Sequence, residues 1–403
     1  MKNLPHVVWQ TASTNKSSTH VRGITLVELM IAITISIVIL AVISTVFQTS
    51  KTTYNAQEGL ARIQEAGRFS LDTLAHDIRQ SGYFGCGKLP LNQPGTVKST
   101  VPGGVVPNML GVGGFHYTGT GGVNPAVDWT PPLSTSGYNF PGADILLPYS
   151  DVLVVRYATS NGITITNAAK TTGDLEVRAT DFTGNEVGQT WMVTDCYQAT
   201  FFQITGVSAA SSPPFGGFRT IQHNAPNSPT ALPDPPGGYA APSELVQVVT
   251  NVYYVGDTGR RRNGVLVPAL FRKAGADTFP IQGEELVEGI ENMKVFYGAM
   301  QLTGGSSKTN YDTQWYVPAD QISTDPTVSP NWYTITSVRV GVVATSTEKT
   351  PRDGENTAAA GLNVLGITTD TAPQLDNYVP TNANDGSARR VFTFVVNTRQ
   401  PPK

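Results

Sequence analysis

Apolar positions are spread unevenly along this chain, and the unevenness divides it. From Ile24 to Phe47 (ITLVELMIAITISIVILAVISTVF) a single charged residue, Glu28, interrupts an apolar run. Its length predicts a helix able to cross a hydrocarbon core. From Tyr54 to Ile78 the pattern becomes amphipathic. Leu60, Ile63, Leu71, Leu74 and Ile78 fall near helical spacing, with Ala66 and Phe69 beside them. No proline breaks the join, so one helix over 24–80 is predicted. Glu58 with Arg62 and Glu65 with Arg68 are placed as surface pairs, and Gly59 and Gly67 as points of bending. Ser81-Gly82-Tyr83-Phe84-Gly85-Cys86-Gly87 then stops the helix.

Beyond Gly87, short β-rich runs alternate with long polar stretches. The runs 151–158, 190–195, 199–207, 244–255, 265–273, 293–297, 336–345 and 390–398 predict strands. Residues 256–264 read as a long, turn-rich hairpin loop between the fourth and fifth of these. Stretches 90–148, 213–242, 303–330 and 351–387 are rich in Gly, Pro, Ser, Thr and Asn and read as irregular. The expected class is α+β: a long N-terminal helix packed on an antiparallel β-sheet domain with long loops. Three parts follow, 1–23, 24–80 (with 24–47 transmembrane) and 81–403.

Composition narrows the function. At 403 residues there is room for a sizeable core, and 40 glycines and 28 prolines fit a loop-rich domain. Charged residues make up 14% and the net charge is -3, which leaves no basic footprint for nucleic acid. The two cysteines, Cys86 and Cys196, have two readings. In an oxidising compartment they form one disulfide, which for a loop of about 100 residues stabilises by roughly 4–5 kcal/mol. Otherwise they stay as two buried thiols. No metal-ligand spacing competes for them.

Residues 1–23 carry Lys2, Lys16 and Arg22 and no acid, which favours keeping them in the cytoplasm and sending the C-terminal part outward. A conventional secretory signal fits poorly, because the apolar run is too long. Glu28 at the edge of a membrane helix costs about 2–3 kcal/mol, so it asks for a partner. An ordinary signal anchor with an acid near the membrane surface is the plainer reading.

The string Arg22-Gly23-Ile24-Thr25-Leu26-Val27-Glu28-Leu29-Met30 resembles the prepilin peptidase site of type IV pilins and type II secretion pseudopilins. Gln64 to Phe69 with Ser81 to Cys86 and Thr194-Asp195-Cys196 resemble PilW-like minor pilins, 286–293 and 295–298 resemble a segment shared with pseudopilins, and 337–340 and 389–392 fit the late strands, all in the right order. The resemblance implies cleavage between Gly23 and Ile24 and methylation of the new amine. It implies that Glu28 docks against such an amine in a filament and that Cys86 and Cys196 form the family's cysteine pair. Ile24 stands where Phe or Met is usual, and the leader is longer than most, which bears on methylation more than on cleavage.

The implied partners are the prepilin peptidase, other minor pilins, the major pilin, the inner-membrane assembly platform and a tip adhesin. The implied setting is a bacterial inner membrane, with the C-terminal domain in the periplasm and later on a pilus. The implied role is initiating or capping pilus assembly, and through it twitching motility and adhesion. Two rival readings stand beside it: a type II secretion pseudopilin, which shares the leader, and a surface-displayed adhesin or DNA-binding module.

Catalytic chemistry is not legible. His6, His20, His76, His116 and His223 are scattered without a metal-binding pattern, and no nucleophile elbow or phosphate loop occurs. Gly111, Gly113 and Gly114 read as loop glycines. No cofactor, metal or enzymatic activity is expected, and a membrane-tethered enzyme is the weakest reading. His76, near Asp72 and Asp77, reads as a helix-surface residue. Arg260–Arg262 reads as a solvated hairpin loop in preference to a DNA contact.

Overall fold

A computed structural model describes residues 23–84, 97–99, 111–124, 126–133, 145–158, 162–166, 175–182, 185–197, 199–211, 217–223, 242–262, 264–274, 283–300, 313–323, 328, 330–346, 361–365, 377–380 and 386–398. Helix α1 (Leu26–Gln80) runs unbroken through Gly59 and Gly67. The chain divides into two compact units, Met1–Tyr54 and Asn55–Lys403. In the first, the described residues are the start of α1 and the three residues before it, Gly23, Ile24 and Thr25.

The second unit contains the rest of α1 and the strands. Ile63, Ala66, Leu74, Ala75 and Ile78 enter its largest apolar cluster with Val295, Tyr297, Val338, Val340 and Val342. The buried stripe is narrower than the sequence pattern suggests, because Leu60 and Phe69 remain about half exposed.

This cluster lies between the helix and a four-stranded antiparallel sheet. Its order is β15 (Thr313–Val317), β14 (Ile290–Met300), β16 (Ile335–Thr345) and β19 (Arg389–Asn397). Gly67 is a packing position, not a bend. A Cβ there would overlap the Phe392 ring of β19. Overpacking of this kind costs about 1–3 kcal/mol. We expect Gly67→Val to lower the thermal midpoint of the second unit by a few degrees, read by near-UV circular dichroism, while Gly59→Ala changes it less.

The larger sheet has ten strands. Its main path is β1 (Val97–Ser99), β8 (Ala199–Gln203), β7 (Thr190–Thr194), β11 (Glu244–Arg262), β4 (Val152–Ala158), β2 (Val112–Tyr117) and β3 (Trp129–Thr130). β5 (Ile163–Thr164) and β12 (Val265–Ala274) also pair with β11, and β13 (Glu284–Glu288) pairs with β12. The β1–β8 pair is parallel. A small sheet joins β6 (Leu175–Arg178), β10 (Phe218–Gln222) and β9 (Gly206–Val207). Another joins β17 (Leu362–Asn363) to β18 (Asn377–Tyr378).

All eight predicted strand regions carry strand, although 199–207 divides into β8 and β9. Four stretches expected to be irregular contain β1, β2, β3, β10, β15, β17 and β18. Gly113 and Gly114 lie on β2, where the Tyr297 hydroxyl donates to the Gly113 carbonyl at 3.0 Å. The missing side chains let that phenol approach the backbone.

The predicted hairpin is present, but its loop is short. β11 continues through a bulge between Asp257 and Arg261 until Arg262 pairs with Val265. Gly264, directly before β12, has φ +80°, a left-handed conformation that glycine adopts without strain.

Candidate functional site: an apolar helix and two buried carboxylates

Thr25 opens the helix. Its hydroxyl accepts the Glu28 amide at 3.2 Å, and its carbonyl accepts the Leu29 amide at 3.1 Å. Thr-x-x-Glu is the spacing of an N-terminal capping pair, and an acid in the first turn faces the positive end of the helix dipole. Gly23 and Ile24 lie outside the helix and are exposed. Gly23, Ile24 and Glu28 therefore gather at one helix start, as the sequence suggested. Among the described residues no cation lies within ion-pair distance of Glu28.

Every side chain from Ile24 to Tyr54 is exposed. An 18-residue window here has a mean hydropathy of 2.9, and none of it is buried. The hydroxyls of Thr34, Ser36, Thr45 and Thr49 donate back to carbonyls three or four residues earlier. Backbone and hydroxyl groups are thus satisfied within the helix, as an apolar medium requires. Such a surface binds lipid or other apolar helices.

In the second unit, two buried carboxylates join elements distant in sequence. Asp77, in the last turn of α1, accepts from Asn251 Nδ2 and the Tyr253 hydroxyl, each at 2.5 Å. Burial, then the hydrogen bond to Asp77, pushes the Tyr253 phenol above its usual range. His76 is exposed, as expected for a helix-surface residue, and its Nδ1 lies 3.2 Å from Asp77 Oδ1. Asp77 itself was missed, although a signal existed: it falls on the stripe marked by Leu74 and Ile78.

Asp151 precedes β4. Its Oδ2 accepts the Val295 amide at 2.9 Å, and its Oδ1 accepts the Tyr117 amide at 3.1 Å. His116 Nδ1 stands 3.0 Å and Lys294 Nζ 3.5 Å from Oδ1. Burial alone would raise the carboxyl pKa. Lys294, His116 and the Val295 amide outweigh it and bring it down to about 2. Asp151, His116 and Lys294 are all buried, so the cluster is a joint between sheets and not a substrate site.

The three arginines lie on β11, not in a loop. Arg260 contacts Glu285 and Glu288, Arg261 contacts Asp257 at 2.9 Å, and Arg262 contacts Glu288 at 3.3 Å. These exposed pairs add little stability individually, but they neutralise the hairpin tip. Among the described residues no group of three or more His, Cys, Asp and Glu is placed to hold a metal. Cys86 lies outside the described residues. Cys196 occupies the turn after β7 with φ 71° and is not a free thiol. It belongs to the second unit.

Residues 252–400 match the family PilW, type IV pilus-assembly protein W. The match begins within β11 and takes in every later strand. Among solved structures, the type IV-like pilin TTHA1219 from Thermus thermophilus aligns with 53% of this chain and 83% of its own, at 15% identity and a TM-score of 0.21. That similarity is too low to carry a structural inference. No curated protein matches.

Proposed function

Proceeding from a PilW-like type IV pilin, we propose that this chain is a minor pilin that helps initiate or cap a pilus. The observation that carries the reading is the exposed apolar helix, whose capped first turn presents Glu28 directly after the accessible Gly23–Ile24 bond. Prepilin peptidase cuts that bond. The new amine at Ile24, methylated or free, meets Glu28 of the same or a neighbouring subunit. In an apolar filament interior the two charges offset each other's desolvation cost. The work is assembly, with no catalytic turnover by this chain.

The helix first anchors the subunit in the inner membrane, with residues 81–403 on the periplasmic side. It then packs with helices of other minor pilins and the major pilin on the assembly platform. Cys86 and Cys196 form a disulfide in that oxidising compartment. Two facts support the pairing: Cys196 is not free, and the sequence has only two cysteines. Phe84, two residues before Cys86, packs edge-on against Phe201 of β8, near the Cys196 turn. Adhesion and motility follow from the pilus.

Intact mass and N-terminal sequencing of the protein from host membranes test this reading. The expected chain starts at Ile24, with or without a methyl group. A chain that keeps Met1 in a host with active prepilin peptidase would reduce the protein to a signal-anchored one.

A further inference from the structure

Helix α1 leaves one flank of its second half uncovered. Ile63, Gly67 and Ser70 turn inward and are buried, whereas Arg62, Glu65, Ala66 and Phe69 lie along the side that faces β13. Their spacing of three, four and seven residues puts these four on one helix face. A groove of about 370 Å³ separates that face from Leu286, Val287 and Glu288 of β13 and from Arg262 at the end of β11. Both walls supply apolar surface: Phe69 is 49% exposed, and Leu286 and Val287 are only half-buried. The backbone at its base is already used. The Gly289 amide donates to the Pro268 carbonyl at 2.7 Å, and the Thr345 amide to the Gly289 carbonyl at 2.8 Å. An occupant is therefore held by side chains.

The charges on the walls are unequal. Arg62 is paired with Glu58 at 2.7 Å, and Arg262 with Glu288 at 3.3 Å. Glu288 also holds Arg260 at 3.1 Å. Glu65 takes part in no ion pair among the described residues. The Glu65–Arg68 pair that the spacing suggests does not form, and Arg68 does not line the groove. One exposed carboxylate is thus left over beside an aromatic ring, while the arginines of both walls are committed.

We propose that this groove seats a segment of another protein in which a large apolar side chain stands next to a lysine or arginine. The apolar side chain fills the space between Phe69 and Val287, and removing that surface from water supplies most of the affinity. The stem of the basic residue lies along the Phe69 ring, with its charged head at Glu65. The volume is near the lower end of the roughly 300–1,000 Å³ of ligand pockets, so one or two side chains fill it. An acidic segment is disfavoured, because it brings a further carboxylate to Glu65 and Glu288. The contact is independent of cleavage at Gly23–Ile24, so either reading fails without the other.

The test uses the full chain in detergent micelles and a short labelled peptide of serines around a phenylalanine–lysine pair. Two control peptides carry glutamine or glutamate in place of the lysine. Fluorescence anisotropy should rank the peptides lysine, glutamine, glutamate, and amide hydrogen exchange should slow at 286–289. Phe69→Ser should weaken the lysine peptide about tenfold, a loss of about 1.4 kcal/mol. Glu65→Gln should weaken it about threefold, as for an exposed ion pair, and leave the glutamine peptide unchanged. Both residues are exposed, so the variants stay folded, and unchanged circular dichroism checks this. Equal binding of the lysine and glutamate peptides would overturn the proposal, as would no binding at about 1 mM lysine peptide. So would undiminished binding by both variants, which would place the peptide on the micelle or the apolar helix. Protection of 286–289 without peptide, rising with protein concentration, would instead make a second copy of this chain the occupant.

Discussion

Replacing Asp77 by Ala should cost the second unit about 2–5 kcal/mol, because two buried neutral donors lose their acceptor at about 1–3 kcal/mol each. Asp77 is the single acceptor point for two groups of β11, Asn251 Nδ2 and the Tyr253 hydroxyl. With it gone, a buried amide and a buried phenol lose the carboxylate they donate to, and the last turn of α1 loses this polar tie to the larger sheet. Apolar contacts of Ile63, Leu74 and Ile78 would remain. The helix should therefore stay attached, with a lowered unfolding temperature.

Asp77→Asn is the discriminating variant. Its amide oxygen can still accept from both groups, so the expected loss is about 1–2 kcal/mol. For a unit of this size each kcal/mol lost shifts the midpoint by about 2–4 °C. Thermal melts followed by tryptophan fluorescence should place the variants in the order wild type, Asn, Ala. Equal midpoints for wild type and Ala would mean that apolar packing alone holds the helix.

Acid should weaken the protein through Asp151. Its folded pKa is about 2, against about 3.9 for an unfolded aspartate. The folded value is depressed, so the stability it adds is fully present above the unfolded value. As pH falls from about 4 through 2 that stability is lost, because the unfolded state takes up the proton first. The difference amounts to about 2–3 kcal/mol. Urea midpoints measured between pH 6 and 2 should show this slope for the wild type.

Asp151→Asn should flatten the slope and lower stability at every pH. It leaves buried Lys294 facing a neutral amide and removes the carboxylate from the Val295 and Tyr117 amides. A slope that survives in this variant would assign the acid sensitivity to other carboxylates.

Much of this protein is legible along the chain, for identifiable reasons. The apolar run after Gly23 is local in sequence, and a membrane-length helix needs only length, composition and absence of proline. Thr25 and Glu28 are three residues apart, so the helix start and its acid follow from capping chemistry alone. The central strands were readable because their β-rich runs are continuous. The strands within Gly- and Pro-rich stretches were not, since each is short and takes its stability from what it packs on. Gly114 beneath Tyr297 and Gly67 against Phe392 show this directly: both glycines read as local features and are contact positions between distant elements.

The buried carboxylates divide the two sources of information most clearly. Asp77 meets β11 about 175 residues later, and Asp151 meets β14 about 145 residues later. No periodicity encodes such pairings, because a carboxylate's worth in the interior depends on which donors the fold delivers to it. The Arg260–Arg262 run looked like a solvated loop until the fold brought Glu285 and Glu288 of β13 and Asp257 of β11 alongside. By itself the sequence carried the resemblance to PilW-like pilins and the start of the long apolar helix, both written in short-range chemistry. Only the tertiary structure decided which charges are buried and which arginines are neutralised, because those are properties of neighbours far away in the chain.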